Sequence, residues 1–155
     1  MRAAVMEAVA WLGRPVQLIA ADDLGRRVGE HLLMAGSRQA RPPEEARPAE
    51  EARPAEDVLV VADGSARRGE KAPGHLDERA FAFDAAIDTA LRQGDAQALA
   101  ILDEALGAQL LARGVPAFRA LGALVDSRGG QVQAQVDYAD DPFGVQYWVV
   151  RWQCP

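Results

Sequence analysis

A chain of 155 residues, 49% hydrophobic and 26% charged, has the length of one ordinary domain and enough apolar surface to build a core. Its formal net charge of −6 lacks the basic footprint of a nucleic-acid binder. A lone cysteine, Cys154, excludes an internal disulfide and a cysteine-based zinc site, and no apolar run reaches the ~18 residues of a membrane span.

A cytoplasmic protein is therefore expected, with neither nucleic acid nor membrane as partner. The N-terminal stretch is too short and too weakly apolar for a secretory segment, and Glu7 interrupts it. Residues 3–12 instead place Val5, Val9 and Leu12 at helical spacing, with Met6 and Trp11 beside them and Gly13 as a stop. Pro15 opens a brief strand, Val16 to Ala20. Asp22 or Asp23 can cap the next helix, whose Leu24, Val28, His31, Leu32 and Ala35 share one face before Gly36 closes it. Such a strand–helix unit predicts a crossover to a parallel strand.

Residues 37–56 interrupt that crossover. Glu-Glu-Ala-Arg-Pro-Ala occurs twice in tandem, and the segment has no large apolar side chain with which to offset its own ordering. It reads as a disordered linker within a single domain spanning 1–155, tolerant of changes in length because closure entropy grows slowly.

Val58 to Ala62 is apolar on both faces, as in a central parallel strand. A polar loop follows, carrying Asp63, Ser65, Arg67, Arg68 and Lys71, the only lysine. A helix is expected over about 76–92, with Asp77 and Glu78 in its first turn and Phe83, Ile87 and Leu91 inward. Asp95 caps a further helix reaching Ala112, with Leu99, Leu102, Leu106 and Leu110 inward, and a fourth runs over 115–126 through Phe118, Leu121, Leu124 and Val125. Beyond Gly129-Gly130 the alternation of Val132, Ala134 and Val136, a turn at Asp140-Asp-Pro-Phe-Gly144, and Val145 to Trp152 describe an antiparallel hairpin. Tyr147, Trp148 and Trp152 read as packing residues. The expected fold is a three-layer α/β/α sandwich on a mixed, mostly parallel sheet of about four strands, with that hairpin at its edge.

The loop after the central strand is the first place to look for function, because open α/β sheets bind ligands beyond the carboxyl ends of their strands. Arg67, Arg68 and Lys71, with Ser65 and a following helix N-terminus, suit a carboxylate or a phosphate. Asp63 at the strand end can hold one of the arginines, in which case the loop is braced rather than open. The order of residues is neither a P-loop nor a nucleophile elbow. His75 is the candidate for proton transfer; His31, on the helix face, reads as a packing residue. Nothing in the spacing assembles Ser65, His75 and Asp77 into a triad, or His31, His75 and Glu78 into a facial iron site.

The loop and its surroundings resemble the class III extradiol ring-cleavage dioxygenase family, in particular its B-type subunits. The resemblance rests on Val60-Val-Ala-Asp-Gly-Ser-Ala-Arg-Arg68, Lys71-Ala-Pro-Gly74, Asp77-Glu-Arg-Ala80, Phe83-Asp84, Leu91-Arg-Gln-Gly-Asp95 and Asp141-Pro-Phe-Gly-Val-Gln-Tyr147. It implies cleavage of catechol-type aromatic rings by O2 at a non-haem Fe(II), held by two histidines and a later glutamate, with a catalytic histidine following the loop serine. This chain has Ser65-Ala66 at the Ser-His position and offers only Asp126 over 114–126, and the family's N-terminal iron-binding part is expected to be missing. The resulting expectation is an extradiol-dioxygenase-like domain without ring cleavage, keeping a ligand- or partner-binding loop over 63–74 for a small anionic or aromatic ligand. No metal ligand is assigned. An unpaired sheet edge makes a homo- or hetero-oligomer the expected state. The alternatives are an active Fe(II) dioxygenase completed by a partner chain and a module for a small anionic metabolite.

Overall fold

A computed structural model describes residues 1–13, 16–37 and 57–154. The expected linker falls outside them apart from Ser37, which ends a helix. Six α-helices and four strands make up the described residues: α1 (Arg2–Trp11), β1 (Val16–Ala20), α2 (Asp23–Ser37), β2 (Asp57–Val61), α3 (Arg79–Gln93), α4 (Ala96–Ala100), α5 (Glu104–Gln109), α6 (Val115–Arg128), β3 (Gln133–Asp140) and β4 (Tyr147–Gln153). No helix among them is long and apolar enough to cross a membrane.

The predicted crossover is present. β1 and β2 run parallel, with Leu18 level with Leu59 and Ala20 with Val61. β3 and β4 form the predicted antiparallel hairpin, with a bulge between Val136 and Tyr138. The strands hydrogen-bond as two two-stranded sheets rather than in one four-stranded ladder. β2 therefore has β1 as its one strand neighbour among the described residues. Every residue in it keeps some exposure, unlike the doubly covered central strand its composition suggests.

Helix α2 meets the parallel sheet and α1 through its glycines. A Cβ on Gly29 would lie 2.4 Å from a Leu18 methyl, and one on Gly36 would lie 2.5 Å from Val9. These glycines let the helix backbone approach the sheet and α1 too closely for a larger residue. The apolar stripe is turned about 100° away from that contact. Leu24 is 57% and Val28 42% exposed, and His31 is exposed as well, so the packing role expected of His31 is corrected and the shared face turns outward at these positions.

The main core lies between the later helices and the hairpin. Ile87, Leu99 and Leu110 are fully buried, joined by Phe83, Leu91, Val115 and Phe118. Trp148 and Trp152 pack against this cluster as expected. Trp148 meets Phe118 edge-on at 6.0 Å between ring centroids. It also donates its indole N–H to Asp88 (3.0 Å), while Trp152 donates to the Leu91 carbonyl (2.8 Å).

Two helix boundaries differ from the periodicity. α3 begins at Arg79, because Asp77 accepts the Arg79 backbone N–H from outside the helix; Asp77 and Glu78 precede the first turn rather than filling it. The helix expected from Asp95 to Ala112 is broken in two. Asp95 caps α4 by accepting from Ala98 N, and Asp103 caps α5 by accepting from Leu106 N (2.9 Å each). The second aspartate competes with the helical ladder and starts a new one.

Candidate functional site

The residues following β2 join the two sheets. Gly64 N–H donates to the Gln146 carbonyl, Gln146 N–H donates back to the Ser65 carbonyl, and Arg68 N–H donates to the Gly144 carbonyl (3.0, 3.0 and 3.1 Å). The loop then folds on itself, with Gly74 N–H bonded to Ala66 O and Asp77 N–H to Arg67 O. Its backbone is thus tied along the turn that leads into β4.

Two of the candidate ligand residues are held internally. Ser65 is 0% exposed; its backbone N–H and its hydroxyl donate to the two carboxylate oxygens of Asp84, at 2.9 and 2.5 Å. Arg68 spans Asp84 (Nη1, 3.3 Å) and Asp141 (Nε, 2.6 Å), with its guanidinium 4.8 Å from the centroid of the Phe81 ring. The bracing of the loop by aspartate–arginine pairs is therefore real, but Asp84 and Asp141 supply it, not Asp63. Asp84 went unassigned in the sequence. Its signal was an acid at an inward position of α3, between Phe83 and Ile87 on the face that those residues bury.

Asp63 lies at the carboxyl end of β2, against the first turn of α6. Burial pushes its carboxyl pKa up, and hydrogen bonding from the Gly114 backbone N–H partly offsets this; the Asp22 charge raises it further. Asp22, at the end of β1, accepts from Gly25 N–H at 2.8 Å and so caps α2. The carboxyl edge of the parallel pair carries two acids, each already bonded to the start of a helix.

Lys71 and His75 are exposed. His75 adopts a left-handed backbone (φ 57°), and its Nδ1 lies 3.4 Å from the Glu70 carbonyl. Arg67 is partly buried and differs from its neighbour. Its Nε is buried with no hydrogen-bond partner, and its guanidinium makes no ion pair within 4 Å among the described residues, although its charge is one of the smaller influences that lower the Asp77 carboxyl pKa. A buried donor left unsatisfied costs about 1–3 kcal/mol.

Backbone strain gathers around the same loop. The three non-glycine residues of positive φ among the described residues are His75, Leu111 and Phe143. His75 is in the loop. A Cβ on Gly74 would meet Leu111, and one on Gly144, next to Phe143, would meet Ala72. Phe143 is also 90% exposed. A bulky aromatic held left-handed at an exposed tip is the kind of outlier that concentrates at functional sites. The tip at Asp141-Pro-Phe-Gly144 was legible as a turn, but its strain was not.

The donors among the described residues do not assemble a site for the iron implied by the family resemblance. His31 is exposed on α2, His75 sits in the loop, and no group of three His, Cys, Asp or Glu side chains among the described residues is placed to hold a metal ion. Surface depressions of ≈ 200 Å³ beside Trp11 and Arg151 and ≈ 290 Å³ beside Asp95 and Asp126 include none of residues 63–74. No family model, curated protein or solved structure matches this chain.

Proposed function

We propose that the chain is an extradiol-dioxygenase-like domain that binds a small anion at its 63–74 loop and does not cleave aromatic rings. The observation that carries this reading is Arg67. Its Nε is buried without a partner and its guanidinium makes no ion pair among the described residues, whereas Arg68, Arg79, Arg92, Arg119 and Arg151 are each paired with a carboxylate. A carboxylate or phosphate would satisfy that donor and add a partner for that charge. Ala66 at the position of the family's catalytic histidine, and the engagement of the Ser65 hydroxyl with Asp84, favour binding over ring opening.

The finer fold assignment belongs to the same proposal. The Gly64–Gln146 and Arg68–Gly144 backbone bonds support reading the parallel pair and the hairpin as two parts of one mixed sheet. α2 and α6 would supply the helical layers of a three-layer sandwich.

Thermal melts in inorganic phosphate, sulfate and acetate, set against chloride at matched ionic strength, test the reading. A melting temperature that rises with one of these anions, and no longer rises in Arg67→Ala, is the expected result. An equal rise in Arg67→Ala, or no rise for any anion, removes the basis for the proposal. Stoichiometric iron in protein purified from iron-supplemented medium, lost in His75→Ala, would instead support the ring-cleaving alternative.

A further inference from the structure

Resting on the anion reading of Arg67, we infer that Arg79 is the positioning residue of that site: it holds Asp77, the acid that would otherwise pair with Arg67. The loop closes so that residues 67 and 77 lie side by side. Gly74 N–H donates to the Ala66 carbonyl and Asp77 N–H to the Arg67 carbonyl, each at 3.0 Å. The Arg67 stem runs against the Gly74 backbone, where a Cβ would lie 2.7 Å from Arg67 Cγ and 2.7 Å from a Leu111 methyl. Asp77 is the acid that this closure brings to Arg67, and the Arg67 charge reaches its carboxyl.

The Asp77 carboxylate is already engaged. Arg79 donates from Nε to Oδ1 (3.0 Å) and from Nη2 to Oδ2 (2.8 Å), a fork across both oxygens, and its backbone N–H adds a bond to Oδ1 (3.0 Å). The guanidinium is itself anchored, because Nη1 donates to Gln109 Oε1 at 2.9 Å. Two parallel N–H groups fix the direction of a carboxylate as well as its distance, which a lysine cannot do. Asp77 therefore pairs with Arg79 and not with Arg67, whose Nε is left unmatched. An incoming anion meets a guanidinium whose neighbouring acid is occupied, rather than an internal ion pair that it must first displace. The Arg79 side chain is 56% and the Asp77 side chain 18% exposed, so the effect is that of a partly solvated charge pair, about two- to fivefold in affinity.

Melting temperatures of the full chain over concentration series of inorganic phosphate, sulfate and acetate test this, read as the concentration that gives half the maximal rise. Arg79→Ala and Arg79→Lys should each raise that concentration about two- to fivefold, although the lysine keeps the charge. Asp77→Asn should lower it, and Arg79→Ala added to Asp77→Asn should change nothing further, because no acid is left to release. An NMR titration of the Asp77 carboxyl gives a readout independent of the anion. In Arg79→Ala its pKa should stay below the ordinary 3.8, held there by Arg67, and should return to that value once Arg67→Ala is added. A return to the ordinary value in Arg79→Ala alone would overturn the positioning role. The failure of the two readings is distinguishable. No rise with any anion in the wild type overturns the anion reading and the role of Arg79 with it. A rise lost in Arg67→Ala but unchanged in Arg79→Ala and Arg79→Lys overturns the role of Arg79 alone, as does an equal effect of Arg79→Ala with and without Asp77→Asn.

Discussion

Asp84 takes both hydrogen bonds that Ser65 can donate, one from its backbone and one from its hydroxyl, at 2.9 and 2.5 Å. The carboxylate is 2% exposed and also meets Arg68, so a single acid on α3 holds the loop that joins the two sheets. Removing one member of a buried charged pair leaves the others desolvated and unmatched, which typically costs about 3–5 kcal/mol. Asp84→Ala should destabilise by that amount in urea unfolding. Ser65→Ala removes a charge-assisted bond and should cost about 1.5–3 kcal/mol. An Asp84→Ala midpoint close to wild type would show that the loop is not held from α3.

The first turn of α6 tolerates no side chain at Gly114. A Cβ there would lie 2.3 Å from Asp63 N and 2.5 Å from Asp63 O, both backbone atoms that cannot swing aside. Gly114→Ala is therefore expected to cost about 1–3 kcal/mol or more by overpacking. Gly69→Ala provides the contrast, because a Cβ there meets nothing within 4 Å. Comparable losses in the two variants would mean that the cost is not steric.

Phe143 gains little from burial at 90% exposure, and its φ is 65°. Asparagine adopts the left-handed region with less penalty, a difference of about 1 kcal/mol. Phe143→Asn should raise the melting temperature, whereas Phe143→Ala, which keeps a Cβ without the compensating side chain, should not. If the asparagine variant melts lower, the strained conformation is repaid by contacts that Phe143 makes.

Acid stability should have two components of opposite sign. The Asp77 carboxyl is held down to about 2 by hydrogen bonds from the Arg79 guanidinium, and Asp137 is lowered chiefly by Arg151. Groups lowered in the folded state contribute stability that is present above the ordinary carboxyl value of 3.8 and lost as pH falls toward the folded value. Asp63 is raised by burial, so its contribution runs the other way: full at low pH, and declining as pH rises through its folded value. Asp77→Asn should flatten the loss of stability between about pH 4 and pH 2. Asp63→Asn should gain relative stability at neutral pH, provided that its carbonyl still accepts from Gly114. Urea titrations at stepped pH would reveal both, and an unchanged acid limb in Asp77→Asn would contradict the first.

The sequence by itself determined the order of the elements and most of their faces. Local pattern was enough for the β1–α2–β2 crossover, the inward rows of α3 and α6 and the β3–β4 hairpin, because period 3.6 and period 2 are written in neighbouring residues. Asp103 could have announced the break between α4 and α5, since a capping aspartate is a local signal too. Only the tertiary structure decided which side of α2 meets the sheet. The stripe of large residues and the row of glycines both have helical spacing, and close backbone approach favoured the glycines. It also decided the fate of the loop. Ser65, Arg67 and Arg68 look alike as a polar run, but Asp84 and Asp141, distant in sequence, take Ser65 and Arg68 and leave the Arg67 Nε unmatched. Which of several adjacent polar groups finds a partner depends on contacts between residues far apart in the chain, and no local pattern encodes those.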